Sequence, residues 1–151
     1  MQVPERIVLA SANAAKAREL DDVLCARFGS SVVVDPRPAW VPEVVEDAPD
    51  FEGNARLKAA ALCDATGLPA LSDDSGLEVD GLDGRPGVRS ARYAGEWAGD
   101  ADNIALLLEE LEGIPAGDPR RRARFRCVVI LHSPGGDEVV ARGSVEGEIA
   151  L

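Results

Sequence analysis

The most informative part of this sequence is Leu71-Ser72-Asp73-Asp74-Ser75-Gly76-Leu77, near the middle of the chain. A short apolar run, residues 68–71, leads into it and predicts a buried strand that ends in a Ser-Gly turn. Two neighbouring carboxylates at a buried strand end repel each other and lose hydration, which is unfavourable unless a cation or a proton compensates. Asp73 and Asp74 therefore predict a site for Mg²⁺, a hard cation that takes oxygen ligands. The alternative is a solvated turn, because Asp, Ser and Gly are all common turn residues.

Length and composition are those of one soluble globular domain, with 151 residues, 46% hydrophobic and 28% charged. The formal net charge of −11 argues against non-specific binding to nucleic acid or to an anionic membrane. Neither a membrane-length apolar run nor a signal-peptide pattern is visible in the sequence. Cys25, Cys63 and Cys127 lie far apart in apolar segments and predict reduced core thiols in a cytoplasmic protein.

Strand and helix patterns alternate early in the chain, and a hairpin follows late. A first helix is predicted to begin at the N-cap Asn13 and to end at Gly29. Further helices are predicted at about 51–65 and 102–111, and strands at 6–10, 31–34, 68–71, 123–131 and 138–141. This order predicts an α/β fold with a mixed β-sheet and flanking helices.

The start of the first helix is a candidate anion site. Ser11, Asn13 and Lys16 lie where free backbone N–H groups and the positive end of the helix dipole favour a negative charge. Lys16 adds a full positive charge in the first turn. The alternative is a surface lysine beside an ordinary N-cap.

The second predicted helix adds two polar residues on one face. Asn54 and Lys58 are four residues apart, so their side chains lie about 5–6 Å from each other. A cleft that holds phosphates would give them partners, and a lysine that extends its head into solvent is the alternative. Upstream, Glu46 follows an apolar pair and is either a third carboxylate of a metal site or a solvated loop charge.

Four segments in a fixed order cover nearly the whole chain. They are Ile7-Val8-Leu9-Ala10-Ser11-Ala12-Asn13-Ala14-Ala15-Lys16; Phe51-Glu52-Gly53-Asn54-Ala55 with Lys58-Ala59; Asp73-Asp74-Ser75-Gly76-Leu77 with Val79-Asp80; and Gly84-Arg85-Pro86-Gly87-Val88 followed by Ser90-Ala91-Arg92-Tyr93-Ala94-Gly95. In sequence and in order they resemble the motifs of the inosine triphosphate pyrophosphatase family, the Ham1-type pyrophosphatases of non-standard purine nucleoside triphosphates.

The resemblance implies a fold and a reaction. The fold is an α/β domain whose mixed sheet and flanking helices form two lobes with a cleft between them. The reaction is the Mg²⁺-dependent hydrolysis of dITP, ITP or XTP to the monophosphate and pyrophosphate. The resemblance further implies a cytoplasmic homodimer that binds purine nucleoside triphosphates and neither nucleic acid nor membrane.

The resemblance also implies roles for individual residues. The substrate would contact the loop that grips the triphosphate and three further residues: Ser11, Ala12, Asn13, Ala14, Ala15, Lys16, Asn54, Lys58 and Ser75. Mg²⁺ would be held by Glu46, Asp73 and Asp74. Asp74 would also be the catalytic proton acceptor that activates water.

The resemblance stops before the family's last two motifs, Phe-Gly-Tyr-Asp-Pro and Ser-His-Arg, which help to hold the purine base. The sequence ends at Leu151 within what reads as another strand, 147–151. We therefore expect residues 1–151 to form a single, C-terminally truncated domain with weakened or lost base selectivity. The alternative function is a weakly active or non-catalytic remnant that binds Mg-nucleotide or a partner subunit.

Overall fold

The computed structural model describes residues 2–151, which form five strands and three α-helices. The strands are β1 (Arg6–Leu9), β2 (Val33–Asp35), β3 (Ala70–Val79), β4 (Arg122–His132) and β5 (Glu138–Glu148), and the helices are α1 (Ala14–Phe28), α2 (Phe51–Thr66) and α3 (Asp100–Glu110). The strands join in one open sheet with the order β2-β1-β3-β4-β5. The predicted α/β class, a mixed sheet with flanking helices, is confirmed.

The sheet is mixed because it contains both parallel and antiparallel pairs of strands. β1 runs parallel to both of its neighbours, with Ile7 opposite Val34 of β2 and Val8 opposite Ala70 of β3. β4 and β5 are joined by a short turn closed by a 2.9 Å hydrogen bond from the Ser133 N–H to the Asp137 carbonyl. So short a connection joins antiparallel strands, since parallel strands need a long crossover. β5 runs well beyond the predicted end at residue 141.

The first helix has the predicted caps. The Asn13 side chain accepts hydrogen bonds from the N–H groups of Ala15 and Lys16, at 2.9 and 3.2 Å. At the other end Gly29 is the C-cap, with a positive φ of 60° that few residues other than glycine adopt. The sequence pattern therefore located both ends of α1.

The acidic motif differs from its prediction. Asp73 and Asp74 do not precede a turn, because β3 continues without interruption from Ala70 to Val79. Gly76 is inside this strand and is not among the residues with positive φ. The glycine is needed for space: a Cβ at this position would press against the Gly87 carbonyl oxygen and lie 2.6 Å from Ser90 Oγ. The predicted turn was wrong because close approach, and not a reversal of the chain, requires this glycine.

The chain divides into two compact units. Unit 1 consists of the described residues up to Ala48, Glu52–Asp73 and Val129–Ala141; unit 2 consists of Pro49–Phe51, Asp74–Val128 and Arg142–Leu151.

Each unit has its own apolar core. In unit 1, Ile7, Leu9 and Leu71 pack with residues of α1, and Val8 and Ala70 pack with residues of α2. β1 and β3 thus have apolar side chains on both faces, as expected for strands covered on both sides. In unit 2 the core consists of Val79, Leu82, Leu107, Leu111 and Ala123.

Two further observations concern predictions from composition. None of the described helices has the length and apolar character needed to cross a bilayer. Cys63 is buried and Cys127 is half-buried, but Cys25 is exposed on α1 and donates a hydrogen bond to Asp21 at 3.4 Å. The prediction of a core position for Cys25 was therefore wrong, because this residue lies on the solvent face of the helix.

Candidate active site

The loop between β1 and α1 is held by its own side chains. The Asn13 N–H donates to Ser11 Oγ at 3.2 Å, and Asn13 caps the helix as described above. Ala12, Asn13, Ala14 and Ala15 are exposed, and Ser11 is half-buried. The loop that was predicted to bind a triphosphate is therefore accessible and is kept in one conformation at the positive end of α1.

Lys16 joins this loop to the acidic motif within unit 1. Its Nζ lies 2.7 Å from Asp73 Oδ2, and the two residues are 57 positions apart in sequence. The Asp73 side chain is only 8% exposed, whereas that of Lys16 is 41% exposed. A nearly buried carboxylate needs a compensating charge, and Lys16 supplies it.

A second ion pair in unit 1 joins α2 to the segment that precedes it. Lys58 Nζ lies 3.5 Å from Glu46 Oε1. One turn earlier on the same helix face, the Asn54 side-chain oxygen accepts a hydrogen bond from the Ala48 N–H at 2.9 Å. Asn54 is 1% exposed, so this bond satisfies a buried polar group. The predicted pairing of Asn54 and Lys58 on one face is confirmed, and that face holds the segment 46–48 in place.

Asp74, Ser75 and Gly76 belong to unit 2. Asp74 and Ser75 are half-buried. Next to them, Ser90 Oγ accepts a hydrogen bond from the Leu77 N–H at 2.9 Å and donates one to the Gly87 carbonyl at 2.6 Å. These bonds fix the conformation of β3 directly after the acidic pair.

The predicted metal ligands do not form a preassembled metal centre. Among residues 2–151, no three Asp, Glu, His or Cys side chains are grouped in a way that could hold a metal ion. Glu46 faces Lys58 and Asp73 faces Lys16, so each of these two carboxylates has an ammonium group as its cation. The residues as they are arranged therefore do not fit a resident Mg²⁺ ion.

A cavity of about 500 Å³ lies beside the loop in unit 1. Ser11 and Ala12 line it on one side, and Arg18, Asp21 and Arg37 give it both positive and negative side chains. Arg37 also donates a 2.6 Å hydrogen bond to the Val41 carbonyl.

One network near the site was missed from the sequence. On α2, Arg56 contacts Glu52 at 2.9 Å and Glu138 of β5 at 2.8 Å, and Glu138 lies 3.0 Å from His132 Nδ1. Arg56 and His132 lower the pKa of Glu138. The i, i+4 spacing of Glu52 and Arg56 was visible in the sequence, but the contact with Glu138, 82 residues away, was not.

The sequence matches a known protein family over most of its length. The model of the Ham1 family matches residues 7–151. A dITP/XTP pyrophosphatase of Nitratidesulfovibrio vulgaris is 51% identical in an alignment of 152 positions that covers 96% of this chain and 72% of that protein. A dITP/XTP pyrophosphatase of Geobacter sulfurreducens is 47% identical over 144 residues, which cover 95% of this chain and 71% of that protein.

Solved structures give the same result. A HAM1 protein from Coxiella burnetii superposes with a TM-score of 0.86 at 40% identity, covering 97% of this chain and 74% of that one. A nucleoside-triphosphatase, dITP/XTP pyrophosphatase, from Mycobacterium abscessus superposes with a TM-score of 0.80 at 43% identity, covering 96% of this chain and 74% of that one.

Proposed function

The chain belongs to the Ham1 family, and on that basis we propose that it hydrolyses non-standard purine nucleoside triphosphates to the monophosphate and pyrophosphate. The substrates are dITP and XTP, in keeping with the names of its dITP/XTP pyrophosphatase relatives, and ITP, which the resemblance implied. The bond between the α- and β-phosphates breaks, and water supplies the new hydroxyl group.

One observation carries the proposal. Lys16 and Asp73 are in contact at 2.7 Å, so within unit 1 the loop that leads into α1 meets the first carboxylate of the acidic motif. Hydrolysis of a triphosphate needs both kinds of group, because positive charge must bind the phosphate oxygens and acidic oxygens must face the cation that accompanies them. A solvated turn and an isolated surface lysine, the two alternatives left open by the sequence, do not account for this contact.

We propose the substrate-binding roles that the resemblance implied, and the positions of the residues support them. The exposed loop from Ser11 to Lys16, at the positive end of α1, binds the triphosphate, and Lys58 adds a second positive charge. Ser75 contacts the substrate. Asn54 contributes indirectly through its bond to Ala48, which holds the segment that carries Glu46.

Asp74 is the proposed proton acceptor. A carboxylate beside the attacking water orients it and takes its proton, which contributes about 10²–10⁴-fold to the rate. The substrate is the complex of the triphosphate with Mg²⁺, and the cation supplies charge neutralisation on the phosphate oxygens. Glu46, Asp73 and Asp74 are the proposed acidic partners of that complex. A homodimer and a cytoplasmic location, which the resemblance implied, are proposed with it.

Product analysis tests this function. The purified chain is incubated with dITP and Mg²⁺, and the products are followed by ³¹P NMR. We expect dIMP and pyrophosphate in equal amounts. Release of inorganic phosphate and dIDP would contradict the proposed bond cleavage, and the absence of products would favour a non-catalytic binding protein.

A further inference from the structure

One side of helix α3 carries exposed apolar side chains that the proposed hydrolysis does not use. Ile104 is 56% exposed, Leu108 is 37% exposed, and Trp97, two residues before the helix N-cap, is 99% exposed. Residues three, four and seven positions apart lie on the same side of a helix, so positions 101, 104, 105 and 108 form one strip. With the tryptophan, this strip is called the α3 surface, and its members are Trp97, Ala101, Ile104, Ala105 and Leu108.

The α3 surface is distinct from the side of the helix that faces the core. Leu107 and Leu111 are buried and pack in the apolar core of unit 2, to which all of α3 belongs. These two residues attach the helix to its own unit, and the exposed strip is additional to that attachment. A contiguous exposed apolar group with polar surroundings is typical of a surface that binds another protein.

The segment that carries Trp97 is fixed to the start of α3. The Ala94 N–H donates to Asn103 Oδ1 at 2.8 Å, and the Gly99 N–H donates to Asp102 Oδ2 at 3.0 Å. These bonds hold the chain on both sides of the tryptophan. An aromatic side chain on a preorganised segment loses less conformational entropy on binding than one on a flexible loop does, and tryptophan is enriched among the residues that contribute most to binding.

The charge around the α3 surface has one sign. Residues 93–119 include seven acidic residues and neither lysine nor arginine. Three of the acids, Asp100, Glu109 and Glu112, are exposed and have no ion-pair partner among residues 2–151. Negative charge at the rim of an apolar surface attracts a positively charged partner and repels an acidic one.

This charge decides between the possible occupants of the surface. In a symmetric pair of chains the same acidic residues would face each other, and each chain has a formal net charge of −11. An anionic membrane and nucleic acid are repelled for the same reason. A basic protein segment, in contrast, offers apolar side chains to the strip and positive charges to its rim.

We propose that the α3 surface binds a basic amphipathic helix of a partner protein. The apolar side of that helix, with residues at i, i+3, i+4 and i+7, packs against Trp97, Ile104 and Leu108. Its lysine and arginine side chains face Asp100 and Glu109. The proposal is independent of the proposed hydrolysis, because it uses no residue of the candidate active site.

The fluorescence of Trp97 reports binding at this surface. The chain has two tryptophans, so Trp40→Phe leaves Trp97 as the only emitter. The probe is a synthetic peptide of about 14 residues, with leucine at the i, i+3, i+4 and i+7 positions and lysine elsewhere. We expect the peptide to shift the Trp97 emission to shorter wavelength, because the indole ring leaves water. The same peptide with glutamate in place of lysine should cause no shift. No shift with the lysine peptide, or equal shifts with both, would overturn the proposal.

A matched pair of variants locates the binding site. In the Trp40→Phe background, Ile104→Gln removes an apolar side chain from the α3 surface, and Val23→Gln makes a similar change on α1, where Val23 is 61% exposed. Both variants should melt at the temperature of the parent chain. We expect the lysine peptide to bind at least about fivefold more weakly to Ile104→Gln and unchanged to Val23→Gln. Equal affinities for the two variants would mean that the peptide binds elsewhere, which would contradict the proposal.

A second pair of variants separates the local charge from the net charge of the chain. Glu109→Gln and Glu19→Gln each remove one negative charge from an exposed helix position, on α3 and on α1 respectively. We expect only Glu109→Gln to weaken binding of the lysine peptide, by about two- to fivefold at low salt. Equal weakening in both variants would show attraction to the overall charge alone and would count against the α3 surface.

Sedimentation tests the competing occupant, a second copy of the chain. Analytical ultracentrifugation is carried out on the unmodified chain and on Ile104→Gln. We expect the two proteins to have the same molar mass in solution, because the α3 surface is not the contact between copies. A dimer that dissociates in Ile104→Gln would show that a second copy covers this surface and would overturn the proposal.

Discussion

Asp74 is the residue on which the chemistry depends most directly. Asp74→Asn keeps the size of the side chain but removes the proton acceptor, so we expect turnover of dITP to fall by about 10²–10⁴-fold. The melting temperature should change little. Asp64→Asn on the exposed face of α2 is the control and should retain full turnover. Near-normal turnover in Asp74→Asn would exclude this residue as the proton acceptor.

Gly76 is required in the acidic motif because its surroundings leave no room for a side chain. Gly76→Ala would place a Cβ against the Gly87 carbonyl oxygen and Ser90 Oγ, so the free energy of unfolding should fall by about 1–3 kcal/mol. Gly135→Ala is the matched control, because a Cβ at that position would have nothing within 4 Å. Urea unfolding of both variants measures the effect, and equal stability would contradict the packing argument.

Tyr93 is the one tyrosine of the sequence, so its titration can be followed without overlap. Burial and a hydrogen bond to Glu110 raise its pKa to about 12. The folded state thus favours the neutral phenol: this stabilisation is complete below about pH 10 and is lost as the pH rises through about 12. Absorbance of the phenolate at 295 nm should show this late midpoint.

Substitution of Glu110 tests whether its contact with Tyr93, and not negative charge nearby in general, raises the pKa of Tyr93. Glu110→Gln should move the midpoint of the Tyr93 titration to lower pH, because the negative partner that disfavours the phenolate is gone. Glu109→Gln removes the same charge from the neighbouring exposed position and should leave the midpoint in place. A normal tyrosine midpoint in the unmodified chain would contradict the description of this site.

The sequence predicted those contacts of single residues that depend on neighbours in the same helix. The Asn13 cap and the shared face of Asn54 and Lys58 depend on spacing along one helix, and both are present in the structure. The partners of Lys16 and Lys58 could not be predicted, because they depend on which segments meet in space. The roles proposed for Asp74 and Ser75 stay predictions until the variants are measured.

At the scale of elements, α2 is tied to the β4–β5 hairpin by the ion pair of Arg56 with Glu138. Both residues lie in unit 1, and the pair is partly exposed, so we expect a coupling energy of about 0.5–1 kcal/mol in a double-mutant cycle. Urea unfolding of Arg56→Gln, Glu138→Gln and the double variant gives this value. A coupling energy of zero would mean that the pair does not hold the hairpin to the helix.

The coupling energy between Arg56 and Glu138 should depend on pH. The pKa of Glu138 is lowered from its ordinary value of 4.5 by its hydrogen bonds to Arg56 and His132. The stabilisation is therefore complete above about pH 4.5 and is lost as the pH falls through the lowered pKa of the folded state. We expect the coupling energy to be intact at neutral pH and smaller in strong acid. A coupling energy that is the same in both conditions would contradict this.

Helices and strands were predicted well where a single hydrophobic periodicity extends over the whole segment. Helix α2 was expected at about 51–65 and is present at Phe51–Thr66. β3 was the exception, because Ser, Asp and Gly are common in turns and conceal a strand of ten residues. The Leu77 N–H of this strand donates to the Oγ of Ser90, which is 13 residues away and whose contact a local pattern does not reveal.

At the scale of the whole molecule, the alternation of strands and helices predicted the α/β class, and the four ordered motifs predicted the family. The order of the five strands was not predicted, because it depends on non-local pairing. The interpretation of residues 1–151 as one domain stays a prediction. The assembly as a homodimer stays one as well.

The most direct test of the proposed function is a comparison of four substrates. Pyrophosphate release by the purified chain is measured with dITP, XTP, dGTP and dATP at equal concentrations of Mg²⁺, and kcat/KM is determined for each. We predict that pyrophosphate is released from dITP and XTP, because the loop from Ser11 to Lys16 and the acidic residues Asp73 and Asp74 are both present. Release of pyrophosphate from dATP and dGTP but from neither dITP nor XTP, or release from none of the four, would contradict the proposal that this chain hydrolyses non-standard purine nucleoside triphosphates.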